Sequence, residues 1–277
     1  MIYFTKSARG YSHKKEDTVC QDHSSSYFDE NRVIITACDG HGSSIYFRSD
    51  RGSKFASFAI INALKDIEKS NYKLLTNSEF LDKIKLQILC EWNESVEKDL
   101  SSHPFTQEEL QKLSNEQKFT LKTNPETAYG TTLNAVMVTS RYVLCVKLGD
   151  GGVFYIKDQQ AFPVFEDDSD NVANITCSIC QDKAFNHLCV GVLSKKNIDG
   201  AIICTDGLLT PYQSLSNFQA SFVKPMLKKF KKGDASKEIK KFINKLADKL
   251  GVGDDVSLGV ILKETRKKRK KIIKNKK

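Results

Sequence analysis

A chain of 277 residues that is 40% hydrophobic and 28% charged falls among globular proteins, with material for one large or two small domains. No apolar run approaches the roughly 20 residues a membrane-crossing helix needs, and the opening Met1-Ile2-Tyr3-Phe4-Thr5-Lys6 lacks the apolar segment of a secretory signal. The net charge of +9 resides at one end: residues 263–277 hold ten Lys/Arg and one Glu, so the remaining body is neutral.

Along the chain, residues 9–26 are polar and turn-rich, with a short strand expected near Tyr27-Phe28. Val33-Ile34-Ile35-Thr36-Ala37-Cys38 reads as a buried strand that runs into Asp39-Gly40. Helical spacing of apolar residues follows over 50–68 and again over 78–100, a pair fit to layer over a sheet. Thr106-Gln107-Glu108-Glu109 carries the signature of a capped helix start. That helix is expected to fade near Lys118, and Asn124-Pro125 breaks the pattern.

Residues 131–139, 142–148 and 153–157 then read as an antiparallel meander, with turns at Ser140-Arg141 and Asp150-Gly151-Gly152. Further strands are expected at 175–179, 187–192 and 201–205, helices at 216–230 and 237–250, and a last strand at 256–262. The sum is an α+β chain of antiparallel sheets carrying helical layers, with two sheets facing each other to bury strands that are apolar on both sides. Most of the eight cysteines, Cys38, Cys145, Cys189 and Cys204 among them, lie in apolar runs as buried free thiols do, which points to a reducing, cytoplasmic compartment. Cys177-Ser178-Ile179-Cys180 has no second ligand pair and reads as strand cysteines rather than a zinc site.

The chemistry lies in the strand ends. Val33–Cys38 stops at Asp39-Gly40, Ala201-Ile202-Ile203-Cys204-Thr205 stops at Asp206-Gly207, and Asp254 stands just before the last strand. Carboxylates at the rim of a sheet are the oxygen ligands that Mg²⁺ and Mn²⁺ prefer. Two such ions about 4 Å apart share a bridging water and lower its pKa for attack on phosphorus. In this reading Asp39 is the bridging acid and Gly40 offers its carbonyl. Asp206 and Asp254 flank the pair, and Asp22 holds metal-bound water. His41 follows in Asp39-Gly40-His41-Gly42 as the general acid that protonates a leaving alkoxide, a nearby carboxylate being expected to raise its pKa. Each piece alone is an ordinary turn; Asp150 alone reads as a hairpin turn.

The order of the pieces resembles the metal-dependent protein phosphatases of the 2C type, in their compact bacterial branch. The resemblance rests on Gln21-Asp22, Asp39-Gly40-His41-Gly42, Gly130-Thr131-Thr132, Gly149-Asp150, Thr205-Asp206-Gly207 and Asp254-Asp255, spread from about residue 10 to 262. It implies a four-layer αββα fold, a central antiparallel β-sandwich flanked by helix pairs, with the metals at one end. It implies Asp39 bridging two Mg²⁺ or Mn²⁺ ions, Asp206 and Asp254 completing one shell, Gly40 serving the other through its carbonyl, and Asp22 acting through metal-bound water. Asp150 then matches the acid that helps hold a third, weaker ion.

The implied activity is hydrolysis of phosphoserine and phosphothreonine in proteins by a metal-bridging hydroxide, with His41 as general acid. The implied partner is a phosphorylated protein, a Ser/Thr kinase or its target. The chain departs from the family where an acid often stands at Gln21, where a phosphate-gripping arginine would fall on Asp17, and where Gly151-Gly152 replaces Ser-Arg. Arg9, Lys14 and Lys15 are the cations nearby. These gaps keep open an idle phosphatase-like domain that binds a phosphorylated partner. A Mg²⁺-dependent nuclease uses the same ions but has no such resemblance behind it. The expected layout is a monomer with a catalytic domain over 1–262. The basic, disordered appendage over 263–277 is suited to nucleic acid or an acidic surface.

Overall fold

The computed structural model describes residues 1–165, 176–232 and 235–264. Among the described residues, ten strands appear in chain order: β1 (Ile2–Ala8), β2 (His23–Phe28), β3 (Val33–Cys38), β4 (Leu133–Val138), β5 (Tyr142–Leu148), β6 (Gly152–Lys157), β7 (Gln160–Pro163), β8 (Cys189–Ser194), β9 (Gly200–Cys204) and β10 (Val256–Leu262). They form two five-stranded sheets, β1-β10-β9-β6-β7 and β2-β3-β4-β5-β8, in which every pairing is antiparallel.

The helices are α1 (Tyr11–Lys15), α2 (Ser49–Lys65), α3 (Ser78–Ser102), α4 (Gln107–Gln111), α5 (Asn115–Thr123), α6 (Ala184–His187), α7 (Asp206–Leu209), α8 (Leu215–Phe218), α9 (Lys224–Lys232) and α10 (Ala235–Lys245). Short 3₁₀ and π-helical turns join several of them; a π-helical turn at Leu246–Leu250 extends α10.

The two-residue period of β3 builds the layers. Val33, Ile35 and Ala37 point between the sheets, where they meet Val136, Cys145, Val153 and Ile203. Ile34 and Cys38 point the other way, into a core shared with Ile60, Leu64, Ile88 and Trp92 of α2 and α3. On the far side, Ile202, Leu258 and Val260 pack under Leu227 and Phe230 of α9 and Ile239 and Ile243 of α10. Three cores between four layers make the αββα sandwich. Each large apolar side chain fully buried in them stabilises the fold by roughly 2 kcal/mol.

Several local expectations are corrected. The turn at Asp150-Gly151-Gly152 is not a hairpin: β5 pairs with β4 and β8, whereas β6 pairs with β7 and β9, so the segment crosses from one sheet to the other. Gly149 takes φ +93°, and a side chain there would also meet Thr132 Cγ2 at 2.6 Å. Residues 176–179 form no strand, and Cys177 and Cys180 lie outside strands; residue 175 is outside the described residues. His187 ends α6, and its strand begins at Cys189. The helix begun at the Thr106 capping box stops at Gln111, and a second box at Ser114 starts α5, because Ser114 and Gln117 cap each other's backbone amides. β1 and β7 carry no strong sequence signal.

Cys20, Cys38, Cys90, Cys145, Cys180, Cys189 and Cys204 are free thiols. Among the described residues no helix is long and apolar enough to cross a membrane. The expected disorder over 265–277 falls outside the described residues.

Candidate metal centre and active site

Register brings the distant acids to one end of the sandwich. His23 pairs with Cys38, so Asp22 enters β2 beside the exit of β3 into Asp39. Cys204 pairs with Gly152 in β6 and with Leu258 in β10, so Asp206, the Asp150 crossing and Asp254 share that end. Asp206 is the first residue of α7, and Asp254 directly precedes Asp255 and β10.

The backbone of Asp39 is clamped by the Gly130-Thr131-Thr132 segment. The Asp39 carbonyl accepts from the Thr132 amide (2.8 Å) and Thr131 Oγ1 (2.7 Å), and its amide donates to Thr132 Oγ1 at 3.2 Å. Gly40 fits only as glycine, because a Cβ would sit 2.7 Å from the Ser49 carbonyl and 2.8 Å from that of Gln21.

The carboxylates then crowd. Asp39 is within hydrogen-bond reach of both Asp22 and Asp206 and feels the charge of Asp254. Burial first, then Asp22 and Asp206, hold Asp39 well above the ordinary carboxylate range. Asp22 is pushed up by burial and by Asp255, against hydrogen bonds from Ser257, Thr205 and Asp39. Asp254 is raised by burial above all, with Asp206 and Asp255 adding to it. The Thr205 hydroxyl donates to Asp22 Oδ2 at 2.9 Å, which leaves Asp22 Oδ1 and Asp206 Oδ1 buried with no hydrogen-bond donor.

A half-buried cluster of like charges with orphaned oxygens is unfavourable by itself and suits a hard cation. The donor set, all oxygen, fits Mg²⁺ or Mn²⁺. Among the described residues no three His, Cys, Asp or Glu side chains are gathered into a ready-made ion cage. The acids face one another instead.

Two neighbours that motif reading left without a role shape the cluster. Asp255, 2% exposed, accepts from the amides of Gly10 and Gln21 at 2.6 Å each and lies 3.0 Å from His13 Nδ1. It ties the N-terminal segment to the last strand. Gln21 donates its amide to the His41 carbonyl (3.1 Å) and Ser49 Oγ (2.7 Å), so this side chain braces the loop where the family often has an acid.

The His41 ring rests on Tyr46, centroids 4.8 Å apart, and its backbone amide donates to the Gly130 carbonyl. Its pKa is lowered, not raised as the sequence suggested: burial dominates, and the opposing carboxylate, Asp150, only partly offsets it. Asp150 Oδ2 accepts from Thr176 Oγ1 at 2.7 Å.

Beside Asp150 runs a groove of about 230 Å³, walled by Gly151, Phe154, Leu209, Tyr212 and Phe218, with Lys147 as the one cation among the described residues that line it. Of the cations singled out in the sequence, Arg9 donates to the His13 carbonyl (2.9 Å) and approaches Asp17 at 3.4 Å, and Lys14 pairs with Asp248 at 3.0 Å. Lys147 was the one missed. A lone charge inside the apolar run of β5 was the signal available.

The sequence model of the family described as Protein phosphatase 2C matches residues 9–244. A search of curated protein sequences finds no match. Among solved structures, a bacterial serine phosphatase is 15% identical with a TM-score of 0.62, covering 95% of this chain and 98% of that one. The serine/threonine phosphatase Stp1 from Staphylococcus aureus is 14% identical with a TM-score of 0.60, covering 95% of each chain. The catalytic domain of the serine/threonine protein phosphatase PstP, in complex with two manganese ions, is 16% identical with a TM-score of 0.53, covering 94% of this chain and 96% of that one. At these identities the structures speak for the fold alone.

Proposed function

The chain belongs to the protein phosphatase 2C family, and on that premise we propose that it hydrolyses phosphoserine and phosphothreonine monoesters of proteins with Mg²⁺ or Mn²⁺ held by Asp39, Asp206, Asp254, the Gly40 carbonyl and, through water, Asp22. The observation that carries the reading is the position of Asp39, in reach of the buried Asp22 and the half-buried Asp206, each of which has one oxygen that no donor meets. Two such ions supply a water of lowered pKa and positive charge for the phosphoryl oxygens.

The protein's own groups do the rest. Asp39, fixed through its backbone by Thr131 and Thr132, orients the cluster. His41, held against Tyr46, gives a proton to the leaving serine or threonine oxygen. Asp150, whose charge reaches His41, is the proposed ligand of a third, weaker ion. The substrate's polypeptide leaves along the groove beside Asp150, where Lys147 meets its acidic groups. Residues 1–262 form the catalytic unit and 263–277 an appendage that turnover does not need. Free thiols such as Cys38, Cys145 and Cys204 support a cytoplasmic setting, the chain acts as a monomer, and its partner is a phosphorylated Ser/Thr kinase or a target of one.

Phosphate release from p-nitrophenyl phosphate and from a phosphothreonine peptide, with and without Mn²⁺, tests this. Asp39→Asn is expected to remove both activities. His41→Ala is expected to cost about 10²-fold on the peptide and far less on p-nitrophenyl phosphate, whose leaving group needs no proton. Equal losses on the two substrates would remove His41 from the acid role, and Mn²⁺-independent turnover would remove the ions.

A further inference from the structure

The two outer helical layers differ in charge. α3, on one face of the sandwich, has six acids and three lysines. Residues 224–245, spanning α9 and α10 on the opposite face, have nine lysines and two acids. A bias in composition alone would spread lysine over both faces.

The spacing sorts the basic layer further. Met226, Leu227, Phe230, Ile239 and Ile243 turn inward onto the sheet. Lys224, Lys228, Lys237, Lys240, Lys241 and Lys245 are exposed, as is Lys229, which pairs with Glu238 at 2.8 Å. In α10 the steps of three and four residues put the lysines on one outward stripe. The chain's ten further Lys/Arg at 263–277 start at the edge of this layer, because Lys263 and Glu264 line the same cavity as Leu227 and Phe230 of α9.

We propose that the α9–α10 face is a docking surface for an anionic lipid bilayer. Lysines in a broad, flat array meet anionic headgroups by additive long-range attraction. The choice of lipid over nucleic acid comes from the apolar groups present. Leu250 and Val252, 52% and 58% exposed, stand at the foot of the layer, Leu250 closing the π-helical turn that extends α10 and Val252 just past it. Aliphatic side chains among lysines enter the headgroup boundary of a bilayer. Base stacking needs exposed rings, and the exposed Tyr11, Phe28, Phe58 and Phe119 all lie off α9 and α10. The acidic α3 face then points away from the membrane.

Co-sedimentation of the full chain tests this with two vesicles: phosphatidylcholine alone, and phosphatidylcholine with about a third phosphatidylglycerol. The protein is expected to sediment only with the anionic vesicles, and to be released as salt rises from about 0.05 M to 0.5 M. The quadruple variant Lys224→Glu, Lys228→Glu, Lys240→Glu, Lys241→Glu is expected to bind at least about tenfold more weakly. Its circular dichroism and p-nitrophenyl phosphate turnover are expected to stay as in the wild type. If that variant fails to fold, the corresponding four Lys→Gln changes take its place, with a smaller loss in the same direction. Equal binding to neutral vesicles, unchanged binding by the charge-reversed layer, or displacement from the vesicles by duplex DNA at lower phosphate concentration would each overturn the proposal.

Discussion

Around Arg48 every buried charge meets its opposite. The guanidinium grips both oxygens of Glu109, from Nε at 2.8 Å and Nη2 at 2.9 Å, and donates to the Tyr129 hydroxyl and the His103 carbonyl. Asp99 completes the set, accepting from Tyr129 and Arg51. Around Asp39, at a second, half-buried cluster, the charges share one sign and two carboxylate oxygens have no donor.

The contrast separates scaffold from site. The Arg48 network pins the start of α2 to the segment after α3, and thereby fixes Ser49, whose carbonyl crowds Gly40 and whose hydroxyl donates to the His41 carbonyl. Its carboxylates are satisfied within the chain. Those of the Asp39 cluster call for something from outside it.

The largest expected effect breaks the like-charge cluster. Asp206→Asn is expected to lower Mn²⁺-dependent turnover of p-nitrophenyl phosphate by at least about 10³-fold, while chemical denaturation without metal shows a fold as stable as the wild type or more so, since one repelling charge is gone. A marked loss of metal-free stability would mean that Asp206 belongs to the scaffold.

The mirror change is Arg48→Met. Removing the cation leaves Glu109 without its opposite charge and Asp99 with Arg51 alone, and about 3 kcal/mol of stability is expected to go in a urea titration. pH sharpens this. Burial would raise Asp99 and Glu109, but hydrogen bonds outweigh it, from Tyr129 and Arg51 at Asp99 and from Arg48 at Glu109, so both sit below their ordinary values. Groups lowered in the folded state stabilise it fully above the unfolded carboxylate range near about 4. They lose that contribution as pH falls through the lower folded values. The wild type is therefore expected to weaken more steeply than Arg48→Met below about pH 4, as read by urea midpoints; parallel acid limbs would contradict the network's role.

The smallest effect concerns Lys147. Lys147→Glu is expected to raise KM for an acidic phosphopeptide about fivefold, a surface-scale electrostatic change of roughly 1 kcal/mol. Its kcat/KM for p-nitrophenyl phosphate should stay as it was. Equal change on both substrates would place Lys147 at the phosphate rather than along the groove.

What was legible in the sequence follows the same division. Asp39, Asp206 and Asp254 stood out because each interrupts an apolar strand at its end, a local signal. The facing sheets followed from strands apolar on both sides, as β3 is. Arg48 was illegible: it follows Ile45-Tyr46-Phe47 and precedes Ser49-Asp50-Arg51, where a cation beside polar residues reads as surface, and its partners arrive from more than 50 residues away. Asp255 was read only as part of a motif, since its donors at Gly10 and Gln21 reach it through sheet pairing over more than 200 residues. The Asp150 segment has hairpin chemistry, and only the pairing of β6 with β9 turns it into a crossing. The depression of His41 reflects burial, which a sequence does not display.

The central claim is that the like-charged cluster, and not the compensated one, takes the divalent ions. Thermal unfolding with and without Mn²⁺ in the wild type, Arg48→Met and Asp206→Asn tests it directly. Mn²⁺ at about a hundredfold excess over its dissociation constant is expected to stabilise the first two equally, by about 2.7 kcal/mol, and to leave Asp206→Asn unmoved. An undiminished Mn²⁺ shift in Asp206→Asn would contradict it.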